Sequence, residues 1–242
     1  MPQFLIDPSQ IKDSTAIITG EEAKHLVKVL RHKVGDLIHL TDGKYRYDAA
    51  IESIRGKEVL FKLLEKHLLS PAAPSPILGM ALLKHDHLER VIQKGVELGV
   101  AHFFLFTSER TIPHYDEATT PKKMGRFEKI GKEAAKQSGM ITIPKIHPPL
   151  PWEQFVKKFR EFSGVLLAWE EEKESQFHAV FQTLDPSKLL LIIGPEGGFT
   201  PEEVRSAGKE GAKIVSLGRQ ILRSETAAIT LLALSQYELG NI

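Results

Sequence analysis

The chain has 242 residues, with 32 Lys plus Arg against 31 Asp plus Glu, and no cysteine. Such a length supports one large domain or two modest ones. Balanced charge leaves no global basic field, so nucleic-acid contact would need a local patch, and the absence of cysteine excludes disulfides and thiolate metal sites. No basic segment leading into an apolar stretch opens the chain, and no apolar run approaches membrane-spanning length. A cytoplasmic protein is therefore expected.

In chain order, residues 1–70 read mostly as short strands: Phe4 to Ile6, Ala16 to Ile18, Leu37 to Leu40, Tyr45 to Ile54 and Glu58 to Leu68. Asp42-Gly43 is a turn dipeptide between two of them. One helix interrupts, with Thr19 as its cap and Ala23, Leu26, Val27 and Leu30 on one apolar face. This pattern predicts a small β-barrel. Residues 71–76, Pro-Ala-Ala-Pro-Ser-Pro, form a linker through which no helix can run.

From 77 to 242 strands and helices alternate. Strands are expected over Ile77 to Leu83, Ala101 to Thr107, Val165 to Trp169, Leu189 to Ile193 and Ala212 to Ser216. Helices are expected over Leu88 to Leu98, Arg126 to Gln137 and Trp152 to Phe162, from Thr200, and from Glu225. This alternation predicts an α/β fold with a parallel sheet covered on both faces.

Two segments stand out. Gly194-Pro195-Glu196-Gly197-Gly198-Phe199-Thr200 follows an apolar strand and opens a helix, with Thr200 and Glu203 at capping-box spacing and Pro201 at the first helical position. It holds more glycine than a turn needs, yet it is neither a dinucleotide fingerprint nor a P-loop. Leu217 to Ala228 likewise lies between a short strand and a helix. Loops at the carboxyl ends of strands are where open α/β sheets bind ligands, so the two should meet in a pocket made largely of main chain. In the second loop Ser224 is the expected cap, and Arg223 is a cation placed against the helix dipole, as an anionic ligand would favour.

Both segments, in this order near the C-terminus, resemble the RsmE family of ribosomal RNA methyltransferases, within the SPOUT superfamily. The resemblance extends over nearly the whole chain. Thr19 to Ala23 and Leu30 to Asp36, Ile92 to Val100, Ser108-Glu109-Arg110, and Glu133 to Gly139 are similar to further signatures of that family. Two stretches, Lys84 to His87 and Thr111 to His114, depart from its pattern. The resemblance implies a PUA-like RNA-binding barrel (1–70), a linker (71–76) and a SPOUT domain (77–242) whose C-terminal part is a trefoil knot. It also implies a homodimer, S-adenosylmethionine as cofactor, and methylation of uracil N3 in 16S ribosomal RNA of the small subunit or its precursor. The competing readings are another SPOUT methyltransferase, acting on a 2′-hydroxyl or on tRNA, and a non-catalytic RNA-binding assembly protein.

On that reading Leu167, Ala168, Ile193, Gly194, Pro195, Glu196, Gly197, Gly198, Leu217, Gly218, Ile221, Leu222, Arg223, Thr226 and Ala227 would surround the cofactor. Uracil N3 carries a proton and needs a base or a cation that stabilises its anion. Glu225 is the candidate base and Arg223 the candidate stabiliser, while helix-dipole complementarity is the plain alternative for Glu225. Arg31, Lys33, Lys84, Gln93, Lys94 and Arg110 would form an RNA track. No metal is expected, because His85 and His87 lie two apart without a helical partner.

Overall fold

A computed structural model describes residues 3–68, 74–140 and 143–242. The chain forms two compact units, a first over Met1–Ala72 and Gly139–Thr142 and a second over Ala73–Ser138 and Ile143–Ile242. Half of the expected linker, 71–73, lies outside the described residues, and the other half, Pro74 to Pro76, is irregular.

The first unit contains strands β1 (Gln3–Leu5), β2 (Ile11–Lys12), β3 (Thr15–Thr19), β4 (Leu37–Thr41), β5 (Tyr45–Arg55) and β6 (Glu58–Leu68). They form one sheet in the order β1-β4-β5-β6-β3-β2. Alternate residues of β5, Tyr47, Ala49 and Ile51, are buried, as a strand with one covered face requires. Two register shifts in the β5–β6 ladder, between Asp48 and Ala49 and between Ile51 and Ser53, add curvature. The sheet thereby wraps a single core that includes Ile18, Leu40, Ile51 and Phe61. At the Asp42-Gly43 turn the Asp42 carboxylate accepts the N–H groups of Lys44 and Tyr45 and the hydroxyl of Tyr47.

Helix α1 (Gly20–Lys24) runs into a widened π-helical turn over His25–Val29. Two expectations fail here. Thr19 makes no side-chain cap, and Leu30 is exposed while Ala23 and Leu26 are buried. The wider turn rotates later residues off the 3.6-residue face on which the expectation rested.

The second unit holds β7 (Ile77–Ala81), β8 (His102–Thr107), β9 (Lys145–Pro151), β10 (Gly164–Ala168), β11 (Leu189–Ile193) and β12 (Lys213–Val215). All pairings are parallel, in the order β12-β10-β11-β7-β8-β9. Strands β7 and β11 are buried at every residue, which explains their uninterrupted apolar runs. Helices α2 (His87–Glu97), α3 (Thr120–Ser138), α4 (Trp152–Phe155), α5 (Phe177–Phe181), α6 (Pro201–Lys209) and α7 (Ser224–Glu238) join them. As expected, α2 buries Leu88, Val91, Ile92 and Val96. The helix expected over Trp152 to Phe162 is one α-turn followed by 3₁₀ turns. Strand β9 escapes the sequence reading because it carries Pro148, Pro149 and Pro151, which a sheet tolerates at its edge, where β9 lies. Among the described residues no helix is long and apolar enough to cross a membrane.

Chain direction in this sheet reverses between β7 and β11. From β7 the chain moves outward through β8 to β9, and it then fills the other side with β10, β11 and β12. A crevice at the carboxyl ends of the strands is expected at such a switch.

The loop after β11 is gripped from several directions. Thr200 and Glu203 form a full capping box at α6, with Pro201 in its first turn. The Glu203 carboxylate accepts the Thr200 N–H through Oε2 (2.9 Å) and the Glu109 N–H through Oε1 (2.8 Å). Removing this buried group would orphan both donors, at about 1–3 kcal/mol for each left unsatisfied. Glu203→Ala should therefore lower Tm by several degrees in a thermal melt, whereas the exposed neighbour substitution Glu202→Ala should leave it nearly unchanged.

Candidate active site

A cavity of about 400 Å³ opens where β10, β11 and β12 end and α7 begins. The two glycine-containing loops meet here, as expected from their sequence positions. Ala168, Ile193, Gly194, Pro195, Glu196, Gly198, Leu217, Gly218, Ile221, Leu222, Arg223, Glu225 and Ala227 line it. Three of the residues expected at the ligand are not in the lining. Leu167 is buried in the core beneath the sheet, Gly197 lies on the far side of its loop, and Thr226 is exposed.

Backbone geometry explains the loop's composition. At Gly198 the backbone is left-handed (φ 70°), and an added Cβ would sit on the Glu170 carboxylate. At Gly194 a Cβ would press on the buried Phe199 ring at 2.9 Å. Phe199 in turn stacks with Phe106 and packs on Trp152, so the loop is anchored in the core. Gly197 instead faces Arg110, whose Nη1 donates to the Gly197 carbonyl (3.0 Å). Glu196 accepts the Lys84 N–H through Oε1 (2.8 Å), tying this loop to the one after β7. Thus Glu196 fixes the loop, and Arg110 is engaged with main chain.

The opposite wall is the start of α7. The helix begins at Ser224, so Arg223 takes the cap position and Ser224 is buried inside the first turn. The expected Ser224 cap is not formed, and neither residue supplies a side-chain cap bond. Glu225 lies in the first turn, where a negative charge complements the dipole. Arg223 has no ion-pair partner among the described residues. Ile221 is 83% exposed, an apolar side chain held open at the cavity mouth.

His87, Trp169, Glu170, Ser216, Arg219, Gln220 and Ser224 also line the cavity and were not picked out. Trp169, Glu170 and Ser216 follow directly on β10 and β12, so the strand-end rule could have found them. His87 could not be found so, because it enters through the adjacency of β7 and β11, more than a hundred residues apart. Three lining side chains bear buried polar atoms without a hydrogen-bond partner: His87 Nδ1, Trp169 Nε1 and Glu225 Oε2. Buried polar atoms are seldom left unpaired, so such a cluster marks a place built for a polar ligand.

The residues expected to contact RNA are dispersed. Arg31 and Lys33 are exposed in the first unit, and Arg31 has a left-handed backbone (φ 58°). In the second unit Lys94 pairs with Glu97 (2.8 Å), and Gln93 is exposed on α2. Away from the cavity, Asp48, Glu65 and His67 cluster closely enough to hold a metal. Asp48 already accepts from His39 and His67 and lies beside Arg46, so its carboxylate is committed to protein partners.

If Arg110 shapes the loop, Arg110→Ala should speed amide hydrogen exchange several-fold over residues 195–198 while leaving global stability within about 1 kcal/mol. Unchanged exchange there would mean that the loop is held without it.

Residues 72–236 match the model of an RNA methyltransferase domain, and residues 18–64 match that of an RNA methyltransferase PUA domain. The ribosomal RNA small subunit methyltransferase E of Bacillus subtilis (strain 168) is 32% identical over 248 residues, spanning 98% of this chain and 97% of its own. That of Rickettsia conorii (strain Malish 7) is 33% identical, over 96% of this chain and 93% of its own. The crystal structure of a ribosomal RNA small subunit methyltransferase E from Neisseria gonorrhoeae, bound to S-adenosyl methionine, superposes with a TM-score of 0.85 at 25% identity, covering 98% of each chain.

Proposed function

The chain belongs to the ribosomal RNA small subunit methyltransferase E family, and we propose from this that it methylates uracil N3 in 16S ribosomal RNA of the small subunit, using S-adenosylmethionine held in the cavity at the ends of β10, β11 and β12. The observation that carries this reading is the cavity itself: two strand-to-helix loops, mostly main chain, face a helix start bearing Arg223 and Glu225.

The lining fits the cofactor. Gly198 lines the cavity, and its lack of a side chain lets the Glu170 carboxylate, also in the lining, lie against its backbone. Ile221 and Leu222 offer apolar surface to a purine face, and the unpaired Trp169 Nε1 offers a buried donor. When bound, S-adenosylmethionine supplies an electrophilic methyl group on a positively charged sulfur. The loops hold the donor and the target base in line, and this alignment is the main source of rate. Arg223, without an ion-pair partner among the described residues, stabilises the negative charge that develops on the uracil ring as its N3 proton leaves. The carboxylate of Glu225 drives that proton's departure.

The first unit is assigned to RNA binding, with Arg31 and Lys33 on exposed backbone near phosphates. Lys84, Gln93 and Lys94 of the second unit are assigned to RNA contact as well. Arg110 is assigned chiefly to the loop it holds. A cytoplasmic homodimer completes the reading. Its support is the exposed apolar surface of the last segment, where Leu234, Tyr237 and Ile242 remain uncovered in the single chain. The C-terminal trefoil knot belongs to the same proposal.

Gly198→Ala should weaken S-adenosylmethionine binding by roughly tenfold or more, about 1.4 kcal/mol per tenfold, in calorimetry on the folded variant. Affinity equal to that of the parent chain would remove Gly198 from the cofactor site. Arg223→Ala should slow single-turnover methylation by about a hundred- to a thousand-fold while changing cofactor affinity little. Mass spectrometry of the RNA nucleosides reads the product directly, and a 2′-O-methylated nucleoside in place of 3-methyluridine would favour the other SPOUT chemistry. Arg31→Ala with Lys33→Ala should raise the KM for RNA and flatten its salt dependence, because fewer phosphate counter-ions are released.

A further inference from the structure

His87 is the first residue of α2, on the loop that follows β7. Its Nδ1 is buried, has no hydrogen-bond partner, and lies 3.8 Å from both Glu196 Oε1 and Glu225 Oε2. Glu225 Oε2 is equally buried and unpartnered. Nε2 has no protein partner among the described residues and is not sealed from solvent, and the side chain is 25% exposed at the cavity wall. One ring nitrogen thus faces two carboxylates from two other elements, the β11–α6 loop and the first turn of α7. The other nitrogen faces open space.

That asymmetry selects a tautomer. A neutral imidazole beside carboxylates places its proton on the nitrogen that faces them, here Nδ1, and leaves Nε2 with a free lone pair. The same carboxylates stabilise the imidazolium once Nε2 has taken a proton. At 3.8 Å the contacts are loose, as such contacts often are before substrate binds.

We propose that His87 is the general base of the reaction, that its Nε2 takes the N3 proton of uracil, and that Glu225 and Glu196 act on it as positioning residues. This rests on the uracil-N3 reading above and specifies how Glu225 drives deprotonation. The N3–H bond breaks, the proton goes to Nε2, and the electron pair stays on N3. That pair forms the new bond to the methyl carbon as the carbon–sulfur pair returns to sulfur. The imidazolium then yields its proton to solvent.

The other charged groups near His87 do not compete for this role. Asp86 bonds to Arg90 through its carboxylate, and the His85 ring stands edge-on to His87 with centroids 6.1 Å apart. Arg223, Arg219 and Glu170 share the cavity lining, and Arg223 serves the developing anion.

The test uses the full-length chain with small-subunit RNA and S-adenosylmethionine. Single-turnover rates of 3-methyluridine formation are measured across the neutral range, cofactor affinity is measured by calorimetry, and His87 is followed by NMR in the free protein. His87→Gln and His87→Ala should both lose about a hundred- to ten-thousand-fold in rate near neutrality, keep cofactor affinity within a few-fold, and recover partly at high pH, where hydroxide supplies the uracil anion. Glu225→Gln should keep a rising pH limb at a reduced rate and should weaken the Nδ1–H tautomer preference of His87 read by NMR, because one of the two carboxylates facing Nδ1 is gone. Were Glu225 the direct base, Glu225→Gln would abolish the limb and His87→Gln would preserve it, which would overturn the proposal. A His87 variant whose cofactor affinity falls as far as its rate would also overturn it. A parent chain that binds S-adenosylmethionine yet forms no 3-methyluridine would refute the uracil-N3 reading itself, whereas methylation retained by His87→Gln refutes only the base assignment.

Discussion

Glu203 is a buried carboxylate with both oxygens committed to main-chain N–H groups, and the cavity takes its shape from that arrangement. One bond closes the capping box at α6, and the other reaches the loop after β8. A carboxylate out of water is costly unless its hydrogen bonds are met, so the cost is offset only when both loops are in place. Glu196 repeats the device at the surface, joining the same loop to the one after β7 through the Lys84 N–H. Arg110 adds a third tie, to the Gly197 carbonyl. A stretch rich in glycine, which would otherwise carry a large entropy cost, is held in one conformation by Glu203 and Arg110 from outside it and by its own Glu196.

Rigidity on this wall gives the opposite wall its meaning. Among the described residues, the start of α7 carries a cation without an ion-pair partner and a carboxylate with one unpartnered oxygen. In a folded domain such groups are normally paired or moved to the surface. Here they face a cavity whose other side is main chain, where charge and open hydrogen-bonding capacity serve a bound molecule. Electrostatic stabilisation of a developing anion requires that the cation be positioned in advance, and a helix N-terminus fixed against a packed sheet provides this.

Histidine adds an element that the loops alone do not supply. His87 reaches the cavity because β7 and β11 are neighbours in a parallel sheet. Its placement between two carboxylates gives the cavity an imidazole with one nitrogen facing charge and the other left open. The sheet that buries the apolar strands is therefore also what brings a proton-transfer group to a site built mainly by the C-terminal third of the chain.

By itself the sequence determined the α/β alternation, the buried parallel strands, the capping box at Thr200 and Glu203, and the meeting of the 194–198 and 217–227 loops. These are legible because each depends on local spacing or on a run of apolar residues that only a doubly covered strand tolerates. Only the tertiary structure decided the rest. It turned Leu167 and Gly197 away from the cavity, moved the start of α7 to Ser224, gave Arg110 to a loop carbonyl, and placed His87 beside Glu196 and Glu225. It also accommodated β9 with its prolines, because an edge position removes the penalty that composition alone suggests. Those outcomes depend on which strands lie side by side and which way each side chain points, and a pairing between residues a hundred positions apart leaves no periodic mark on the chain.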